Sequence, residues 1–176
     1  MKPKIICIIP ARGGSKGLKN KNILKLNKLP LIAYPIKAAK ASRYIDNIIV
    51  TTDSKKIAEI SKKYGAEIIK RPSELATDKS SEWLSWQHAI REVEKRYGKF
   101  ENFLSLPPTA PLRSHDDIRR CIRALNNDTD LILTITESKR SPWFNMVTKK
   151  KNDSLELVFN NMNIVRRQDS PKAYDI

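Results

Sequence analysis

Arg12, Gly13, Gly14, Ser15, Lys16, Gly17, Lys19 and Lys21 crowd into one short segment directly behind an apolar run, Ile5–Ile9. The chain has five glycines, and the ones at 13, 14 and 17 fall here. Clustered glycines let backbone N–H groups approach an anion closely, and the cations around them neutralise it. A nucleoside triphosphate needs both in a small volume. The bland alternative is a tight turn with solvated lysines. Clustering behind a first strand weighs against it. The spacing fits neither common phosphate template. Leu18 follows Gly17, which rules out G-x-x-x-x-G-K-[ST], and no G-x-G-x-x-G is present, so a generic P-loop or dinucleotide enzyme is disfavoured. A second cationic pair, Arg166-Arg167, offers planar guanidinium groups, which suit a carboxylate better than lysine does. His88 and His115 show no nucleophile–base–acid spacing and read as structural. Cys7 and Cys121 sit in apolar-periodic segments and read as buried free thiols.

The charge supports an anion site near the N-terminal end. The formal net charge is +15 over 176 residues. Residues 1–45 contain eleven Lys/Arg and no acid, whereas the rest contain 23 against 19. The excess is therefore concentrated in one segment and not spread as a nucleic-acid-binding face would be. The apolar runs are far too short to span a bilayer, and no signal-peptide core follows Met1, so a cytoplasmic protein is expected.

The elements that must position these residues alternate regularly. Lys4–Ile9, Asn47–Thr51, Glu67–Lys70, Asn102–Leu106 and Asp130–Thr136 read as five strands. Helices are expected over Pro30–Ala41, from Asp53 or Ser54 to Gly65, over Ser81–Tyr97, and from Ser114, where Ser114-x-x-Asp117 resembles a capping box. Trp83, Trp86, Ile90, Val93 and Tyr97 run at 3,4 spacing and are expected in the core. Such alternation means a mostly parallel sheet with flanking helices, an α/β, Rossmann-like arrangement over residues 1–136. Ligands then bind at the carboxyl ends of the strands, where loops 10–22, 51–54, 71–80 and 107–114 meet. Residues 137–176 break the pattern. They read as an arm of the same domain, with a hairpin of Trp143–Thr148 and Leu155–Phe159 around a solvated tip, Lys149–Asp153.

Several ordered motifs then carry a family resemblance. Ile9-Pro10-Ala11-Arg12-Gly13-Gly14-Ser15-Lys16-Gly17-Leu18-Lys19-Asn20-Lys21-Asn22 resembles the signature loop of the acylneuraminate cytidylyltransferases, the CMP-sialic acid synthetases. Val50-Thr51-Thr52-Asp53, Arg71 to Asp78, Pro108 to Arg113 and Arg166-Arg167-Gln168-Asp169 agree in order. The resemblance implies a nucleotide-diphospho-sugar transferase fold with a protruding dimerisation arm. It implies transfer of CMP from CTP to the anomeric hydroxyl of a nine-carbon sugar acid, with release of pyrophosphate. It places Arg12 and Lys21 on the triphosphate, with Gly13, Gly14, Ser15, Lys16, Asn22, Arg71 and Ser80 around the nucleotide. Arg166 or Arg167 goes to the sugar carboxylate or the reacting phosphate. A homodimer and Mg²⁺ are implied as well. Two departures stand out. Pro107 occupies a position that is often Gln in the family and there reads cytosine. The family's metal-holding Asp-x-Asp is expected beyond Ile176, so no metal ligand is assigned here; Asp116-Asp117 and Asp128/Asp130 read as helix cap and strand flank. The Glu137–Phe144 segment departs from the sialic-acid pattern, which allows a legionaminic or pseudaminic acid. The alternatives are a Kdo-type cytidylyltransferase and a non-catalytic nucleotide- or nucleic-acid-binding fragment.

Overall fold

The computed structural model describes residues 5–159, 164 and 166–176. Along the chain, β1 (Ile5–Pro10) leads through the glycine-rich loop to a short hairpin, β2 (Lys25–Leu26) and β3 (Leu29–Pro30). Then come α1 (Ala33–Ser42), β4 (Asn47–Thr52), α2 (Lys55–Lys63), β5 (Glu67–Lys70), α3 (Glu82–Tyr97), β6 (Asn102–Ser105) and α4 (His115–Ala124). The remainder holds β7 (Thr136–Glu137), β8 (Val147–Lys149), β9 (Leu155–Leu157) and β10 (Tyr174–Asp175). The chain divides into two compact units, Met1–Arg123 and Ala124–Ile176.

The first unit is built on a four-stranded sheet of order β5-β4-β1-β6, and every neighbouring pair in it is parallel. β1 is central, with Ile8 opposite Ile49 on one side and Ser105 on the other. A strand paired on both edges and covered on both faces must be apolar throughout, which the run Ile-Ile-Cys-Ile-Ile supplies. Alternate residues divide between two cores. Cys7 and Ile9 pack with Ile36, Val50, Ile57 and Ile118 under α1, α2 and α4. Ile6 and Ile8 pack with Ile49, Ile69, Ala89 and Val93 under α3. Burial pushes the Cys7 thiol well above its ordinary range, so it stays protonated. Cys121 is also free.

The helix boundaries follow local chemistry. Ser54 caps α2, its hydroxyl accepting from Ile57 N–H at 3.4 Å. Gly65 and Gly98 end α2 and α3 with φ of 85° and 79°, conformations that cost a side chain but not glycine. The Ser114–Asp117 box forms in full. Asp117 N–H donates to the Ser114 hydroxyl at 3.1 Å, while Ser114 N–H and Oγ both donate to the Asp117 carboxylate. The β2–β3 hairpin turns through Asn27 and Lys28, both at positive φ, the backbone of a two-residue turn that matches strand twist.

Three expectations are corrected. α1 starts at Ala33, not Pro30, because Leu29–Pro30 is spent on the hairpin. Trp83 is 56% exposed, meeting Trp86 edge-on at 6.0 Å. The rest of the expected stripe holds: Val93 is buried, Trp86, Ile90 and Tyr97 pack partly buried against the same core, and Ser85 and Ala89 are buried beside them. The fifth strand, Asp130–Thr136, does not form. Only Thr136–Glu137 is a strand, and it pairs antiparallel with β10. Leu131, Leu133 and Ile135 are exposed. An alternating apolar segment becomes a strand only where an edge accepts its ladder, and among the described residues none does.

In the second unit, β8 and β9 form the expected hairpin, in shorter strands. Trp143 stacks on Phe159 at 5.4 Å, and Lys149–Lys151 is an exposed tip.

Ser114→Ala is expected to cost about 1 kcal/mol, the usual value of a helix cap, read as a lower urea midpoint at pH 7. The hydrogen bonds from Ser114, with help from Arg120, hold the Asp117 carboxyl down to about 2. A lowered folded-state pKa gives stability that is present above the unfolded value and lost as pH falls toward 2. The Ser114→Ala deficit should therefore shrink between pH 5 and about pH 2. A deficit independent of pH would show that the box contributes no charge-dependent stability.

Candidate active site

Strand order reverses at β1. The chain leaves β1 toward β4 on one side, and β6 lies on the other. Loops leaving the carboxyl ends of β1 and β6 must therefore diverge, opening a crevice between them. A cavity of about 310 Å³ lies there, lined by Pro10, Arg12, Ser15, Lys21 and Asn22 from the first loop and by Pro107, Pro108 and Thr109 from the β6 loop. Arg71, Leu75, Thr77, Asp78 and Ser80 close it from behind β5, and Glu82 and Ser85 from the first turns of α3. The volume is at the lower end of the roughly 300–1,000 Å³ typical of small-molecule sites.

Main-chain bonds beyond the strands fix the rim. Ala11 N–H donates to Thr51 C=O at 3.1 Å, Arg71 N–H to Thr52 C=O at 2.9 Å, and Leu106 N–H to Ile8 C=O at 3.1 Å. Arg71 follows β5 directly and is only 6% exposed. Its Nη2 donates to Thr51 C=O at 3.1 Å. Its Nε is buried without a protein partner, as is the Ser80 hydroxyl. Buried donors left open in a cavity wall cost stability unless something else accepts from them. Burial also lowers the Arg71 pKa, with Asp53 and Glu82 opposing that shift. Asn22 is buried in a one-turn 3-10 helix, Lys21–Ile23, and its amide donates to Arg12 C=O at 3.0 Å. Its own carbonyl accepts from Ile32 N–H. Asn22 thereby fixes the loop's path and presents Lys21.

The glycines do less than the sequence suggests. Gly13 N–H donates to the Asp53 carboxylate at 2.8 Å, and Ser15 N–H donates to Gly13 C=O at 3.0 Å. Two amides expected to face an anion are therefore used by the protein itself. A Cβ on Gly13 would sit 3.0 Å from the Ser54 Cβ, whereas one on Gly14 or Gly17 would meet nothing within 4 Å. A side chain at Gly13 would therefore press on Ser54 at the start of α2, which would have to give by a few tenths of an ångström. Positive charge in the cavity lining comes from the side chains of Arg12, Lys21 and Arg71. Arg12 and Lys16 both pair with Asp78, at 2.8 and 2.5 Å. The sequence placed Asp78 in a motif but gave no sign of this pairing, which depends on loops far apart in the chain. Leu75 and Thr77 lie in the same motif without an assigned role, and Glu82 and Ser85 were missed, since nothing in their local spacing marks them.

In the second unit, Arg166 is engaged by Asp169 through both Nε and Nη2, at 2.8 and 2.9 Å. The Arg167 side chain lies outside the described residues. A separate cavity of about 220 Å³ is lined by Glu137–Ser141, Gln168 and Ser170–Ala173, with Lys172 at 3.7 Å from Glu137. Among the described residues no three His, Cys, Asp or Glu side chains gather as a metal site. The acids lining the first cavity are Asp78, which is ion-paired, and Glu82. This donor set does not fit a resident divalent cation, which takes several oxygens at once. No described helix is long and apolar enough to cross a membrane.

Comparison with known proteins agrees with the geometry. The chain is 39% identical over 176 residues to CMP-N,N'-diacetyllegionaminic acid synthase of Campylobacter jejuni, covering 98% of this chain and 74% of that protein. It is 46% identical over 123 residues to N-acylneuraminate cytidylyltransferase of Escherichia coli, covering 70% of this chain and 28% of that longer protein. Among solved structures, a CMP:2-keto-3-deoxy-manno-octonic acid synthetase complexed with CTP superposes with a TM-score of 0.61 at 21% identity, over 71% of this chain and 48% of that one. That likeness bears on the fold alone, which is the expected nucleotidyltransferase α/β arrangement. Residues 6–175 match the cytidylyltransferase family, and the chain belongs to it.

Proposed function

We propose that this protein activates a nonulosonic acid: CTP plus the sugar acid gives CMP-sugar and pyrophosphate. The observation that carries the reading is the cavity at the switch point, where Arg12, Lys21 and the buried, partly unpartnered Arg71 converge. The sugar's anomeric oxygen forms a bond to the α-phosphorus while the bond to the bridging oxygen of the β-phosphate breaks. The hydroxyl proton passes to solvent, and the electron pair leaves with pyrophosphate. Such a step needs positioning and neutralisation of charge more than covalent help. Arg12 and Lys21 neutralise the departing phosphates, with Lys16 at the loop's outer side and the Gly13-Gly14-Ser15 backbone framing them. Asn22 holds the loop. Arg71 and Ser80 donate to the nucleoside with the hydrogen-bonding capacity they keep in reserve. Pro107 has no side-chain donor, so cytosine is read by the opposite wall.

Names of relatives at 31–46% identity refer to acylneuraminic, legionaminic and pseudaminic acids. The substrate is taken from this set of nine-carbon acids, whose carboxylate suits an arginine such as Arg166 or Arg167. Mg²⁺ enters as the nucleotide's counterion and supplies charge neutralisation when bound. The reading includes a homodimer working in the cytoplasm.

The test is CTP with a panel of these acids and Mg²⁺, following pyrophosphate. Turnover is expected with CTP and at least one acid, and UTP should compete weakly. If no nucleotide binds saturably and affinity falls steeply with salt, the chain is a polyanion binder instead. Arg12→Ala and Lys21→Ala should each lower kcat/KM by about 10²–10³ at unchanged circular dichroism. Normal turnover in either variant would remove that residue from the site. Arg71→Ala should raise the KM for CTP more than it lowers kcat, because its contacts persist through the reaction.

A further inference from the structure

The phosphate-side cations are engaged by an acid of the chain itself. Asp78 sits in the loop behind β5 and lines the same cavity as Arg12. One of its oxygens lies 2.8 Å from Arg12 Nη2 and the other 2.5 Å from Lys16 Nζ. A single carboxylate thus bridges two cations with one oxygen each, as two oxygens of a phosphate group would. The hydrogen bond from Lys16, together with the charge of Arg12, holds the Asp78 carboxyl below the usual carboxylate range. It is therefore an anion at neutral pH. The bridge is open to water: the side chains are 34% exposed at Arg12, 81% at Lys16 and 37% at Asp78. Ion pairs so exposed exchange partners at little cost. The bridge also ties together two loops that are far apart in the chain. Within its own loop, Asp78 follows a 3-10 turn, Ser73–Ala76, and lies inside the turn closed by the Ser80 N–H to Thr77 C=O bond at 3.3 Å.

We propose that Asp78 is an internal stand-in for the polyphosphate, an affinity-setting residue that trades places with it. The proposal rests on the nucleotide reading above. An incoming triphosphate must displace Asp78 from Arg12 and Lys16. A polyanion does so through charge, whereas a weakly charged ligand does not. When pyrophosphate leaves, Asp78 returns to the same cations and lowers the cost of exposing them. The device sets a threshold for binding and eases product release through one exchange of partners.

The test uses the full chain, its Asp78→Asn and Asp78→Glu variants, and inorganic tripolyphosphate, pyrophosphate and CTP, each without and with Mg²⁺. Asp78→Asn keeps the shape and removes the charge. It should bind metal-free tripolyphosphate and CTP about fivefold tighter. Pyrophosphate should inhibit it at correspondingly lower concentration. Asp78→Glu should stay near wild type, which separates loss of charge from loss of loop structure. Without any ligand, amide hydrogen exchange across residues 73–80 should be faster in Asp78→Asn than in wild type. Equal or weaker tripolyphosphate binding by Asp78→Asn overturns the proposal, as does unchanged exchange. Weakening seen only with Mg²⁺ overturns it too, by making Asp78 a metal ligand. If tripolyphosphate shows the shift but CTP binds no better than tripolyphosphate, the nucleotide reading fails and the stand-in survives. If CTP binds well and the variant changes nothing, the reverse holds.

Discussion

β1 is paired on both edges and buried on both faces, and the cavity opens beside its carboxyl end. With β4 on one side and β6 on the other, the loops that leave β1 and β6 cannot follow the same path. The crevice between them is a consequence of strand order, present before any side chain is chosen. The sequence meets the demand by making residues 5–9 wholly apolar and placing the cations immediately after Pro10. Charge then begins where burial ends. A charged residue in place of Ile9 would sit in the sheet core at a cost of several kcal/mol.

The loop itself is held by acids and amides rather than by glycine alone. Asp53 accepts from Gly13 N–H, which ties the first loop to the end of β4. Asn22 donates back to the Arg12 carbonyl, which closes the loop on itself. Arg71, fastened to the Thr51 carbonyl, is rigid enough to keep its Nε aimed at one place. Preorganised donors of this kind need no reorganisation when an anion arrives, which makes them more effective than flexible lysines. Two kinds of group thus line the cavity: Arg71 and Asn22, buried and bonded to main-chain carbonyls, and Arg12 and Lys21, which carry its remaining positive charge.

Much of this was legible from residues alone because it is local. Ser114 and Asp117 announce their box three residues apart, and Gly65 and Gly98 mark helix ends through a conformation only glycine takes cheaply. The crevice was legible too, since it follows from alternation of strand and helix. What was not legible is non-local. Leu131, Leu133 and Ile135 have the alternation of a strand, but pairing depends on a partner edge that no local pattern encodes. Trp83 has the spacing of a core residue, yet burial on α3 follows the small residues Ser85 and Ala89, which let the helix lie close to β1 and β4. Asn27-Lys28 lacks the Asn-Gly signature, so its hairpin went unread.

The glycine-rich loop shows why composition and geometry must be weighed together. Three glycines beside four cations suggest an anion held by backbone amides, and two of those cations, Arg12 and Lys21, line the cavity. Two of the amides are already bonded, to the Asp53 carboxylate and the Gly13 carbonyl. An N–H already bonded to a carboxylate can serve an incoming phosphate only by giving that bond up, and Asp53 would then be left facing a second anion. On the reading proposed above, polyphosphate is met first by the side chains of Arg12 and Lys21, which line the cavity, and not by these two amides.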